Sequence, residues 1–205
     1  MKNILFDLGG VLLDLDIAKT ENTLASFRKT KMDIGALEAL FFEKLMLFEK
    51  GAYSEELFIN FLLKHSNYKT HALDIINAWN SMLNFVEKDR FDMVTQLTKH
   101  YNLFVLSNTN PIHFQWLKQM NANMESSPKL FDLFEEMYFS HLIEQRKPDR
   151  EAFEIVLSDA NILASETLFI DDLEENIDAA QELGFMTYHL KSTDDLIPLC
   201  ERLLK

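Results

Sequence analysis

Asp7-Leu8-Gly9-Gly10, Ser107-Asn108-Thr109-Asn110, Arg146-Lys147-Pro148-Asp149 and Asp171-Asp172 are four short polar clusters, each lying at or beyond the end of a short apolar run. Their residue types form a coherent set. Asp7, Asp171 and Asp172 offer carboxylate oxygens, the donors preferred by a hard cation such as Mg²⁺, which retains waters that a phosphate can replace. Lys147 supplies compensating positive charge. The Ser107 hydroxyl and the Asn108 backbone N–H are suited to non-bridging phosphate oxygens, and Gly9-Gly10 lets the main chain approach a ligand closely. An aspartate nucleophile surrounded by metal, lysine and amide donors is sufficient for a covalent aspartyl-phosphate route.

For these clusters to meet, the runs before them must lie side by side. Asn3–Phe6, Leu103–Leu106, Met137–Phe139, Leu168–Ile170 and Met186–Leu190 read as buried parallel strands, apolar on both faces. Helical stripes separate them: Phe91, Val94 and Leu97; Phe153, Val156, Leu157 and Ala160; Ile177, Ala180 and Leu183, the last ending at Gly184. Alternation of strand and helix predicts an α/β fold, a Rossmann-like doubly wound parallel sheet, whose ligand site lies beyond the carboxyl ends of the strands. Residues 16–86 interrupt that alternation with amphipathic stretches and read as an inserted all-α cap, with helices near 17–30, 34–48, 55–65 and 70–83. Ser54 is its clearest N-cap, with Glu55 and Glu56 in the following turn. The division expected is a core of 1–15 and 87–205 and a helical cap of 16–86.

Composition narrows the partners. With 47% apolar and 26% charged residues the chain is globular, and 20 basic against 33 acidic residues give a net charge of −13. No basic stripe offsets that charge, so nucleic acid and anionic membranes are not expected partners. Cys200 is the single cysteine, so no intrachain disulfide can form. The first residues lack the apolar length of a signal peptide and no run approaches a membrane span, so the expected location is cytoplasmic.

The motifs Phe6-Asp7-Leu8-Gly9-Gly10-Val11-Leu12, Leu106-Ser107-Asn108-Thr109-Asn110, Lys147-Pro148-Asp149 and Phe169-Ile170-Asp171-Asp172, with Asn176 following, resemble the four ordered motifs of the haloacid dehalogenase-like hydrolases. The fragment Glu49-Lys50-Gly51 with Ser54-Glu55-Glu56-Leu57-Phe58 resembles that family's helical cap, in its sugar-phosphate phosphatase-like subgroup. The resemblance implies a Mg²⁺-dependent phosphatase acting on a small phosphorylated metabolite such as a sugar phosphate. Asp7 would be nucleophile and metal ligand, Ser107 and Asn108 would bind the phosphoryl group, and Lys147 would neutralise charge. Asp171, Asp172 and the Gly9 carbonyl would complete the metal site. In the family's phosphatases a second aspartate usually stands two residues after the nucleophile and protonates the leaving alcohol; here that position is Gly9. Water, the substrate, or Asp14 or Asp16 would have to replace it. A regulatory phosphate binder without turnover, or a 2-haloacid dehalogenase, is the alternative that this departure raises.

Other polar and aromatic residues have plainer readings. Asn110-Pro111 reads as an N-cap and first helical residue, His113 and Trp116 as helix packing, and Asn176 either as an orienting group for the acidic loop or as an exposed helix residue. Phe41, Phe42, Phe48, Phe58 and Phe61 read as cap core.

Overall fold

A computed structural model describes residues 1–29 and 34–205. In chain order its elements are β1 (Asn3–Phe6), α1 (Ile17–Phe27), α2 (Ile34–Glu49), α3 (Glu55–His65), α4 (Ala72–Asn80), α5 (Lys88–Leu97), β2 (Asn102–Ser107) and α6 (Pro111–Asn123). There follow β3 (Glu136–Phe139), α7 (Ser140–Ile143), α8 (Arg150–Asp159), β4 (Thr167–Asp171), α9 (Glu174–Glu182), β5 (Met186–His189) and α10 (Leu196–Leu203). The strands form one parallel five-stranded sheet in the order β3-β2-β1-β4-β5. The apolar runs mark the strands to within a residue or two, because a strand covered on both faces is apolar throughout, but the edge strand β5, expected to be buried, is partly exposed and carries Thr187 and His189.

Successive side chains of each strand feed opposite faces. Ile4, Phe6, Val105 and Ile170 pack beneath α5, α6 and α10, while Leu5, Phe104, Leu106 and Phe169 pack against α8 and α9. Helices thus cover both sides of the sheet. Cys200 lies in the first of these cores, where burial pushes its thiol up to about 12 and keeps it unreactive at neutral pH. Among the described residues no helix is long and apolar enough to cross a membrane.

Helices α1–α4 fill the interval between β1 and α5 and share their own core. Phe48 and Phe58 stack at 4.3 Å, and Trp79 meets Phe58 edge-on at 5.0 Å. Ser54 caps α3 by accepting from the Leu57 N–H at 3.2 Å, as its position in the sequence predicts. The expected helix 70–83 is shorter, Ala72–Asn80, because the chain must turn so that Leu83 can pair with Leu15. The expected helix 17–30 ends at Phe27, and its last position, Thr30, lies outside the described residues. Phe42 departs from the core reading at 58% exposed. Phe41 takes the inward direction, and the adjacent residue on a helix, turned by about 100°, cannot follow it.

The two parts meet through a buried polar junction. Asn110 caps α6, and its Oδ1 accepts from the His113 N–H at 3.1 Å and from Trp79 Nε1 at 3.3 Å. The His113 ring stacks on Trp79 at 5.3 Å, its Nε2 donating to the Trp79 carbonyl at 3.0 Å and its Nδ1 accepting from Asn110 Nδ2 at 3.2 Å. That pattern suits only the neutral imidazole, and burial pulls its pKa from 6.5 down to about 4. Above pH 6.5 the folded and unfolded chains agree in charge at this site; between about 6.5 and 4 the unfolded chain binds a proton that folded His113 refuses. Stability from this group is therefore lost as pH falls through that window, on the order of 3 kcal/mol in full. His141, lowered to about 4 by burial and then by Lys118, acts in the same direction. Denaturant titrations of wild type and His113→Asn at pH 7.5 and 4.5 should show the wild type losing more on acidification; parallel losses would refute the buried neutral assignment.

Candidate active site

Asp7 directly follows β1, and its N–H still pairs with the Ile170 carbonyl at 2.9 Å, which fixes the residue at the sheet's carboxyl edge. The chain then closes a tight loop, the Leu12 and Leu13 N–H groups both bonding to the Leu8 carbonyl. Gly10 in that loop has φ +77°, and a Cβ there would lie 2.4 Å from Asp172 Oδ2, so only glycine lets the loop sit against the acid. At Gly9 an added Cβ would meet Leu15 Cδ1 at 2.8 Å, the tip of a movable side chain.

β4 delivers Asp171, fully buried, and Asp172 just after it. Carboxylate oxygens of Asp7, Asp171 and Asp172 lie within 4.8 Å of one another. Lys147, itself fully buried, bridges Asp7 at 2.8 Å and Asp171 at 2.6 Å. Burial alone would lower the lysine's pKa, but the two carboxylates outweigh it and raise it, keeping the ammonium charged. Asp7 is pushed up to about 7, first by burial and then by the charge of Asp171 against the opposing Lys147. Burial and then Asp171 also raise Asp172. With three carboxylates and one ammonium the ionised cluster carries two uncompensated negative charges. Hard oxygen donors with that excess charge fit a divalent ion such as magnesium.

Supporting bonds hold the cluster in shape. The remaining oxygen of Asp171 accepts from the Leu173 N–H and from Asn176 Nδ2, both at 2.9 Å. Asn176 is therefore a buried positioning residue of the acidic loop rather than an exposed helix residue. The Asn108 amide grips the Lys147 backbone at both ends: its Nδ2 donates to the Lys147 carbonyl and its Oδ1 accepts from the Lys147 N–H, each at 2.8 Å. That use of the side chain is not visible in the sequence. Ser140 Oγ holds the neighbouring Thr109 in the same reciprocal way, at 2.9 Å to both its N–H and its carbonyl.

Ser107 and Asn108, at the end of β2, line a cavity of about 720 Å³ together with Leu8 and Gly9. All the residues expected at the site except Gly9 are thus at strand ends or, for Lys147, in the turn before α8. Asp14 and Asp16 are not part of it. Asp14 is paired with Arg90 at 2.8 Å, which holds its carboxyl below the usual range, and Asp16 caps α1 by accepting from the Lys19 N–H at 3.0 Å. Both carboxylates are committed to the stretch that leads into α1. Glu49 does line the cavity, and burial raises its pKa against the pull of Arg146, its ion-pair partner at 3.0 Å. Lys50 pairs with Asp149 at 2.7 Å, so the end of α2 is fastened to the turn that carries Lys147.

The family model for haloacid dehalogenase-like hydrolases matches residues 1–184. The D-ribitol-5-phosphate phosphatase of Bacteroides thetaiotaomicron is 31% identical over 199 residues, covering 95% of this chain and 94% of its own. An enzyme of the HAD family from the same organism, solved with magnesium and inorganic phosphate, superimposes with a TM-score of 0.84 at 34% identity, covering 97% of this chain and 98% of that one. A HAD-like family hydrolase of Porphyromonas gingivalis superimposes with a TM-score of 0.82 at 30% identity, covering 100% of this chain and 98% of its own.

Proposed function

Because the chain belongs to the haloacid dehalogenase-like hydrolases, we propose that it is a Mg²⁺-dependent phosphatase of small phosphorylated metabolites, working through Asp7. The observation that carries this reading is the meeting of Asp7, Asp171 and Asp172 around buried Lys147, with Ser107 and Asn108 alongside. Magnesium would be held by Asp7, Asp171, Asp172 and the Gly9 carbonyl, and when bound supplies divalent charge to the phosphoryl oxygens.

An Asp7 carboxylate oxygen attacks phosphorus while the bond to the leaving oxygen breaks, giving an aspartyl phosphate and an alkoxide that takes its proton from water. Lys147 holds Asp7 in position and faces the charge on the transferring group. The Ser107 hydroxyl and Asn108 N–H donate to non-bridging oxygens, Asn108 keeping its side chain on the lysine backbone. Water then attacks phosphorus, and the P–O bond to Asp7 breaks to release inorganic phosphate. Residues 16–86 act as a cap that covers the site and reads the alcohol, and D-ribitol 5-phosphate, named for the relative, is the sugar-phosphate comparison to assay. Halide displacement from a haloacid needs no clustered carboxylates, which favours phosphoryl transfer over that alternative.

Magnesium-dependent release of phosphate from p-nitrophenyl phosphate and a panel of phosphorylated metabolites tests the reading, and absence of any turnover would favour a phosphate-binding regulator. Gly9 makes a sharper prediction. Without an acid two residues beyond Asp7, the wild-type rate should depend steeply on the leaving-group pKa. Gly9→Asp requires only that Leu15 rotate away, since the contact at 2.8 Å is with a side-chain tip. The variant should gain on the order of 10²-fold for alkyl phosphates and little for p-nitrophenyl phosphate; equal gains for both would refute the missing-acid explanation.

A further inference from the structure

The cavity that opens from Gly9, Ser107 and Asn108 runs into the helical module between α1, α2 and α4, and its walls are hydrocarbon. Leu15, Leu24, Phe41, Leu45, Trp79 and Leu83 are branched or aromatic side chains that line a space of about 720 Å³. Leu15 also takes the place into which a side chain at position 9 would project. Apolar surface therefore begins at the catalytic loop itself.

Several of the polar groups on these walls are engaged within the protein, while the half-buried His65 ring lies edge-on to Phe61 at 4.9 Å and the Thr109 side chain borders the phosphate end. Thr20 Oγ1 donates to the Ala78 carbonyl at 2.8 Å, and Ser66 Oγ to the Leu62 carbonyl at 2.9 Å. Trp79 Nε1 and both His113 ring nitrogens are engaged at the junction, and Glu49 is held by Arg146. Glu21, Asn22, Arg28 and Glu38 are exposed and make a polar rim. Hydroxyls of a bound polyol would leave water and find few partners among the described residues, a loss on the order of tenfold in affinity for each one. A methylene in the same place gains roughly fourfold.

We propose that the alcohol part of the substrate is a hydrocarbon chain or ring seated in this cavity, its phosphate at Asp7; the proposal rests on the phosphatase reading and specifies its substrate class. A cavity of this kind, apolar between a phosphate-binding end and an exposed polar rim, orients an amphiphilic ligand head-first.

The test is a homologous series. Specificity constants (kcat/KM) of the Mg²⁺-loaded enzyme are measured for n-butyl, n-hexyl, n-octyl and n-decyl phosphate, below their aggregation concentrations, with D-ribitol 5-phosphate beside them. The alkyl alcohols are equally poor leaving groups, so chain length reports binding alone. The expected result is a rise of roughly fourfold per methylene over at least part of the series, with ribitol 5-phosphate below octyl phosphate. A flat series with ribitol 5-phosphate preferred would overturn the proposal while leaving a phosphatase. p-Nitrophenyl phosphate reports the chemistry separately. If nothing is turned over, calorimetric binding of the corresponding n-alkylphosphonates still decides the matter: affinity independent of chain length overturns it, and affinity rising with length upholds the apolar site on a protein that binds without hydrolysing.

Discussion

Lys147→Met is expected to lose about 3–5 kcal/mol of stability in magnesium-free buffer, because it strips a buried countercharge from carboxylates that cannot move apart. The wild-type ammonium lies 2.8 Å from Asp7 and 2.6 Å from Asp171 and is itself fully buried, so it is not a group that water can replace. Methionine keeps most of the volume, which confines the effect to charge. The variant should then recover more stability than wild type when millimolar Mg²⁺ is added, since a more negative pocket binds the cation more tightly and ligand binding to the folded state stabilises by mass action. Turnover should fall on the order of 10³-fold or more even with the metal present, as expected when charge stabilisation of a transition state is removed. Urea titrations with EDTA and with Mg²⁺ measure the first two effects. Equal responses of the two proteins to magnesium would mean that lysine and cation do not share the carboxylates.

Asp7→Asn should be as inactive, yet shift stability the other way. Loss of the attacking oxygen is expected to lower turnover on the order of 10⁵-fold, by comparison with removal of other covalent nucleophiles. In the metal-free protein, however, Asp7 is a buried carboxylate beside Asp171, pushed up to about 7 by burial. An amide removes that charge while Lys147 keeps Asp171 as partner. A gain of about 1–2 kcal/mol in magnesium-free buffer near pH 8 is therefore expected, as when function is lost from a strained site. Retention of more than a hundredth of the wild-type rate, or a stability loss matching that of Lys147→Met, would exclude Asp7 as both nucleophile and crowded acid.

The sequence makes some parts of this architecture legible and hides others for identifiable reasons. Strands covered on two faces leave continuous apolar runs, and a parallel sheet gathers whatever polar residues follow them, so Asp7, Ser107, Asn108, Asp171 and Asp172 can be picked out by position. Lys147 is legible only through its motif. What cannot be read is the pairing of single polar residues far apart in the chain. Arg146 and Glu49 are separated by 97 positions, Asn110 and Trp79 by 31, and neither pair has a periodic signature. The same limit applies to Asp14 and Asp16. Their nearness to Asp7 in sequence makes them candidates for proton donation, but Arg90, 76 positions beyond Asp14, claims the first. Asp16 is a helix cap, a role its place before α1 allowed. Phe42 shows the converse limit, since two adjacent aromatics on one helix cannot both face inward, and composition does not say which does.

Where the chain leaves the sheet for its helical module and where it comes back, the two crossings lie side by side: Leu15 bridges Leu83, the Asp16 N–H bonds to the Met82 carbonyl at 2.8 Å, and the Asn84 N–H to the Asp14 carbonyl at 3.2 Å. A doorway already stitched shut leaves the length of the stretch beyond it free to vary wherever Glu49, Lys50 and Trp79 keep their partners in the core. Shortening, lengthening or replacing the intervening segment changes loop-closure entropy only slowly with length and leaves the strand register untouched. On the proposed reading, the part that meets the alcohol can thus drift while the carboxyl edge of the sheet is inherited whole.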